Sequence, residues 1–339
     1  MKRRTLLQGL ALAAAVTASA GWAQKTELLV YTALETDQLK AYTESFQKQY
    51  PNIDLKFVRD STGVITAKLL AEKANPQADA ILGVAASSME IFKGEGMLAP
   101  YAPKGFQSLT RSYSEGGNPP AWVGQDVFAA VICYNTVEGQ KKGIPKPTSW
   151  KDLTKPVYKG QITMPNPASS GTGFLDVSAW LQLWGETEGW KYMDALHENI
   201  AQYTHSGSKP CRQAGAGEFV VGVSFDYRGN DVKQKGAPVE LIFPSEGLGY
   251  DIEAAGIMKN TKHMAEAQKL IDWVATKEAN EAFAKNFALV AHPEVKPVLP
   301  YLPQDLDKKL IKNDFAFAAK NRDRILAEWQ KRYAAKTEK

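Results

Sequence analysis

From Leu28 onward, short apolar runs alternate with stretches whose apolar residues recur every three or four positions. That alternation is the pattern of strand-helix units layered around a parallel sheet. Leu28 to Tyr31 reads as a buried strand, and Asp37 to Tyr50 as a helix with Leu39, Tyr42, Phe46 and Tyr50 on one face, stopped by Pro51. Leu55 to Val58 and Ala78 to Leu82 are the next strands. Val64 to Ala74 and Ser87 to Phe92 are the helices beside them, the second closed by Gly94 and Gly96. Three such units in about 70 residues make one doubly wound lobe.

The Gly- and Pro-rich stretch Gly116 to Pro120 leads into Val127 to Tyr134, an apolar run long enough to cross into a second lobe. There Gln161 to Met164, Ala201 to Thr204, Val220 to Phe225 and Val239 to Phe243 are expected strands. Gly173 to Leu183, Lys209 to Ala216 and Asp226 to Lys235 are expected helices. Ile252 to Met258 reads as the returning strand, followed by helices over His263 to Thr276 and Glu278 to Asn286. The expected architecture is α/β, two doubly wound lobes joined by two crossing strands with a cleft between them. Lobe 1 takes 24–126 and 248–294, and lobe 2 takes 127–247. Residues 295–339 form C-terminal helices near the hinge or lobe 2, ending in a solvated amphipathic helix from Phe315 to Ala335.

The first 23 residues stand outside this pattern. Lys2, Arg3 and Arg4 precede the apolar run Leu6 to Ala18, which is too short for a membrane anchor, and small residues offer a cleavage site after Ala23 or Ala20. This is the form of a signal peptide and predicts export to the periplasm, by the general or the twin-arginine route. Three of the 41 Lys and Arg residues lie there, leaving 38 against 37 Asp and Glu. A mature charge so near neutral, with both signs interspersed, gives no footprint for nucleic acid. In an oxidising compartment the two cysteines, Cys133 and Cys211, suggest a disulfide, with two separately buried thiols as the alternative.

Candidate chemistry gathers where ligands bind in open α/β sheets, beyond the carboxyl ends of the strands. Tyr31-Thr32, Asp60-Ser61-Thr62-Gly63, Ala86-Ser87-Ser88, Ser169-Ser170-Gly171-Thr172-Gly173 and Thr204-His205-Ser206-Gly207-Ser208 are hydroxyl-rich turns, several opening into helices. A single serine of this kind is ordinarily an N-cap. Five turns drawn from both lobes point instead to a shared anion cleft built from backbone N–H groups, helix dipoles and hydroxyls. Asp226 with Tyr227, and Glu246, are placed to face a cationic group on the same ligand.

Enzyme signatures are missing. The four histidines have no metal-ligand spacing, there is no G-x-S-x-G, and Gly171-Thr172-Gly173 lacks the third glycine of a dinucleotide fingerprint. Ser206 to Lys209 matches S-x-x-K without the companion motifs. No catalysis, cofactor or metal is expected. Trp122, Trp150, Trp180, Trp184, Trp190 and Trp273 are expected in packing.

The run Val30-Tyr31-Thr32-Ala33, the Ser61-Thr62-Gly63 turn, Trp150-Lys151-Asp152-Leu153 and Pro165-Asn166-Pro167 followed by Ser169 to Gly173 resemble the ferric-iron-type branch of ABC transporter substrate-binding proteins. Arg59 to Gly63, Leu196 to Cys211 and Pro244-Ser245-Glu246-Gly247 are similar, more narrowly, to periplasmic 2-aminoethylphosphonate-binding proteins. The resemblance implies a type II periplasmic-binding fold that closes as a monomer on 2-aminoethylphosphonate and docks on permease subunits. Another small organophosphate or phosphonate, or ferric iron, is the alternative ligand, and a periplasmic hydrolase the alternative class. The adjacent tyrosine pair of iron-binding members is absent, which argues against iron.

Overall fold

The structure, a computed structural model, describes residues 25–339. The signal-peptide reading of residues 1–23 lies outside them. Beginning at the N-terminal side, β1 (Thr26–Thr32), β2 (Ile53–Arg59) and β3 (Ala80–Ala85) alternate with α1 (Thr36–Gln49), α2 (Thr62–Ala71) and α3 (Ala86–Gly94), and the short β4 (Leu98–Ala99) follows. Then comes β5 (Val123–Asn135), thirteen residues all buried, and α4 (Thr136–Lys142). A second set comprises β6 (Ile162–Pro165), α5 (Gly171–Asn199), β7 (Ile200–Thr204), α6 (Lys209–Ala216), β8 (Val221–Phe225), α7 (Asp226–Gln234) and β9 (Val239–Ile242). The chain returns through β10 (Tyr250–Met258) to α8 (Met264–Val274), α9 (Lys277–Phe283) and β11 (Leu289–Val290), and ends in α10 (Leu306–Lys309) and α11 (Phe315–Tyr333).

Strands run in the order β2-β1-β3-β10-β5-β8-β6-β7. β1 pairs in parallel with β2 and β3, and β6 in parallel with β7 and β8. Between these two parallel halves lies β5. Its first half, Val123 to Ala129, pairs antiparallel with β10, and its second half, Ala130 to Tyr134, with β8. One strand thus belongs to both halves, and 243–249 carries the chain back. The connecting strand is longer than the Val127 to Tyr134 run because Gln125 and Asp126, polar and fully buried, lie within it.

Where the sequence suggests a helix ending near Leu183, α5 continues to Asn199 across a break at Gly185, whose φ of 76° is left-handed and needs glycine. The other helices and strands keep the expected order, with ends shifted by a few residues. Phe46 and Tyr42 of α1 pack against Trp273 and Phe283 of α8 and α9, which joins the returning helices to the first half. The solvated end expected of the last helix is corrected. Ala318, Arg322, Ile325, Trp329 and Tyr333 form a buried stripe on α11, which packs against α3 and α5 and sets Trp329 edge-on to Tyr203. A stripe at spacings of three and four is legible in the sequence once its partner surface is known. Cys133 of β5 and Cys211 of α6 form a disulfide, their Cα atoms 5.4 Å apart.

Candidate functional site

Two helix starts meet in the cleft between the halves. Ser61 is the N-cap of α2 and Ser170 that of α5. The Ser170 hydroxyl accepts a hydrogen bond from the Gly173 N–H at 3.3 Å, whereas Ser61 makes no such capping bond. The segments touch: the Gly63 N–H donates to the Ser169 carbonyl at 2.9 Å. This approach depends on glycine. A Cβ on Gly63 would sit 2.1 Å from the Ala168 carbonyl oxygen, and one on Gly171 would sit 2.7 Å from the Thr62 hydroxyl. A side chain at Gly207 would likewise meet the Thr172 hydroxyl.

These turns enclose a small cavity between the halves that is partly open to solvent. Ser61, Thr62, Ser170, Gly171, Thr172 and Gly207 line one region of it. Opposed helix N-termini supply uncompensated N–H groups and positive dipole ends there, an environment for an anion. Arg59 also lines the cavity, with its Nε bonded to the Leu34 carbonyl. Phe128 and Phe225, edge to face at 6.2 Å, form an apolar wall.

The remaining wall carries acid. Glu253 of β10 lines the cavity and lies directly across the strand pair from Asp126 of β5. Neither Asp126 oxygen has a donor, nor does Glu253 Oε2. Asp226 Oδ1 accepts the N–H groups of Ala129 and Tyr227, while Oδ2 is left without a partner. Burial lifts all three carboxyls, Asp226 to about 7 and Asp126 and Glu253 well above the usual range, with the neighbouring charges of Glu253 and Asp226 adding to the effect on Asp126 and those of Glu35 and Asp226 to the effect on Glu253. Groups so placed hold protons in the empty cleft and lose them to a ligand that brings positive charge or strong donors.

Ser61, Thr62, Ser170, Gly171 and Thr172 are thus brought together, and Asp226 stands next to the acidic pair. Other expected site residues are engaged elsewhere. Tyr31 donates its hydroxyl to Glu72, and Thr32 accepts the Leu34 N–H. The Ser87 N–H is directed to Asp251, and the Ser88 hydroxyl takes the Thr66 proton. Ser169 donates to the His205 carbonyl, Ser206 faces Ser208, and Tyr227 turns to Asp37 and Phe287. Glu246 is outside the cleft: its carboxylate accepts the Trp150 and Lys151 N–H groups and caps the turn there. Asp126, Glu253 and Arg59 were not expected. The first two carried a signal, since a carboxylate within an otherwise apolar strand is seldom buried without a purpose.

Comparison with known proteins bears on the fold and the family. The periplasmic binding protein AfuA of Actinobacillus pleuropneumoniae, solved with fructose-6-phosphate bound, is 30% identical with a TM-score of 0.85, over 91% of this chain and 99% of that one. The fold is therefore the type II periplasmic-binding fold. A Sinorhizobium fredii protein provisionally named an ABC transporter periplasmic-binding protein is 28% identical, over 86% of this chain and 79% of its own. A Salmonella typhimurium periplasmic protein whose assigned ligand, 2-aminoethylphosphonate, is itself provisional is 24% identical, over 82% and 81%. Among the described residues no helix is long and apolar enough to cross a membrane. Residues 75–316 match the bacterial extracellular solute-binding protein model, and the chain belongs to that family.

Proposed function

We propose that this chain is the periplasmic receptor of an ABC importer, and that it captures 2-aminoethylphosphonate and delivers it to permease subunits. The observation that carries the reading is the polarity of one small cavity. Hydroxyls and helix N-termini line it together with the carboxyl of Glu253, which faces Asp126 across the strand pair and has Asp226 close by. A phosphonate satisfies the first and an ammonium, with three donors and no acceptor, satisfies the second. The two-carbon spacer lies against Phe128 and Phe225. The ligand-binding residues in this reading are Ser61, Thr62, Ser170, Gly171 and Thr172 with Arg59 for the anion, and Glu253, Asp126 and Asp226 for the amine.

A hexose phosphate is the second reading. It is favoured by the likeness to the fructose-6-phosphate-bound protein, and sugar hydroxyls can donate to the same carboxyls. Calorimetric titration with 2-aminoethylphosphonate, fructose 6-phosphate and inorganic phosphate separates the two. Uptake of the aminophosphonate well ahead of the others supports the first reading. Uptake of the sugar phosphate without the aminophosphonate would overturn the amine assignment.

A further inference from the structure

Beside the cavity, acids of the first half meet bases of the second. Arg228 of α7 is 1% exposed, and its guanidinium donates to Glu35 at 3.1 Å, to Asp37 at 3.1 and 3.3 Å and to Asp231 at 2.6 Å. Arg212 of α6 reaches Glu35 from the same side at 3.4 Å, and Arg59 from the other at 3.6 Å. Glu35 and Asp37 stand at the start of α1, packed with the first half, while Arg228 and Asp231 share α7 of the second. Of the Arg228 contacts, only that with Asp231 is internal to one half. Glu35 and Arg59 line the cavity, but Arg228 is not among its lining residues.

We propose that Arg228 is a closure latch, a positioning residue that holds the two halves together without touching the ligand; the proposal rests on the reading of this chain as a receptor that closes. If the halves part, Arg228 keeps Asp231 and exchanges Glu35 and Asp37 for water. The cross-cleft ion pairs exist only in the closed arrangement, so they bias the opening equilibrium by themselves. Apparent affinity scales with the fraction of molecules in the binding-competent state. A latch therefore strengthens every ligand by the same factor, whereas a carboxyl in the cavity wall distinguishes one ligand from another. Because the guanidinium is buried on closure, its loss falls on dissociation, as when a buried ion pair is broken.

The test uses spin labels on cysteines placed at Lys40 and Val137, exposed residues on opposite halves, with the native disulfide intact. In ligand-free protein the distance distribution should contain a short, closed component. Arg228→Gln should remove it and Asp37→Asn should reduce it; Asp37 is 41% exposed, so that variant is expected to fold. The double variant should lose no more than Arg228→Gln alone, because the two residues act through one contact. With 2-aminoethylphosphonate as the probe, Arg228→Gln should raise the dissociation rate at least tenfold and leave the association rate within about twofold. A closed component that is absent from the unsubstituted protein, or equal in all four proteins, would overturn the latch. If 2-aminoethylphosphonate fails to bind, the ligand assignment falls and the ligand-free distances still decide the latch.

Discussion

In the proposed reading, ligand choice turns on Glu253 and Asp226. Each is buried beside the cavity and keeps an oxygen without a donor. Breaking a buried charge pair typically costs 2–5 kcal/mol. Glu253→Gln should accordingly weaken 2-aminoethylphosphonate at least about thirtyfold and leave ethylphosphonate unchanged, as read by calorimetry; equal losses for both ligands would remove Glu253 from amine recognition. Protonation gives a second handle. Burial raises Asp226 to about 7, so the empty folded chain holds a proton that the unfolded chain releases near pH 4. The folded state binds more protons between those limits, and stability must fall as pH rises through them, by on the order of 4 kcal/mol for this one group. Asp251, lifted by burial to about 6, acts in the same direction. Asp226→Asn should therefore flatten, without abolishing, the decline in urea stability between pH 4.5 and 7.5. An ammonium reverses the effect on the same carboxyl, so binding should expel protons and tighten as pH rises towards 7. Identical slopes for the variant and the unsubstituted protein would assign the proton elsewhere.

At the level of helices, α2 and α5 meet start to start because Gly63 and Gly171 carry no side chain. Helical glycine is ordinarily a cost of about 1 kcal/mol against alanine. Here it is the condition for the Gly63 N–H to reach the Ser169 carbonyl. Gly63→Ala should leave the ligand-free melting temperature unchanged or slightly higher, since the open helix gains propensity. It should nevertheless lower affinity more than tenfold, since a methyl 2.1 Å from the Ala168 oxygen forbids the closed contact. A variant that binds normally would show that the segments adjust around the methyl. These elements also mark how far sequence carries. The succession of strands and helices along the chain and the turns at Ser61 and Ser170 are legible because apolar runs and small polar residues are local signals. Glu246 misleads because a Pro-Ser-Glu-Gly turn looks alike whether it faces a ligand or caps Trp150 and Lys151. Asp126 and Glu253 were passed over because their meaning is non-local: they face each other only through the register of β5 with β10. The buried face of α11 is hidden for the same reason, its partners α3 and α5 lying far away in sequence.

For the molecule as a whole, β5 ties the two halves and the segment 243–249 returns between them, so motion of one half against the other concentrates at these crossings. The Gly63 contact with Ser169, the Asp60 pair with His205 at 2.9 Å and the Arg228 network all bridge the cleft, which makes this the closed arrangement. Ligand should favour it further, because neither half alone offers both the anion cradle and the carboxyls. Anything that binds only the folded, closed state stabilises it by mass action, about 2.7 kcal/mol at one hundred times its dissociation constant. For a chain of this length that corresponds to a rise in melting temperature of several degrees, with 2–4 °C expected per kcal/mol near 150–250 residues and less above. Saturating 2-aminoethylphosphonate should therefore raise the melting temperature and, in small-angle scattering, reduce the radius of gyration together. A rise without contraction would mean that the ligand enters a cleft already closed, the outcome expected if the ion network alone holds the halves shut. In that case contraction should appear only in Arg228→Gln, where the empty protein starts open. No rise and no contraction in either protein would show that this ligand does not occupy the cleft.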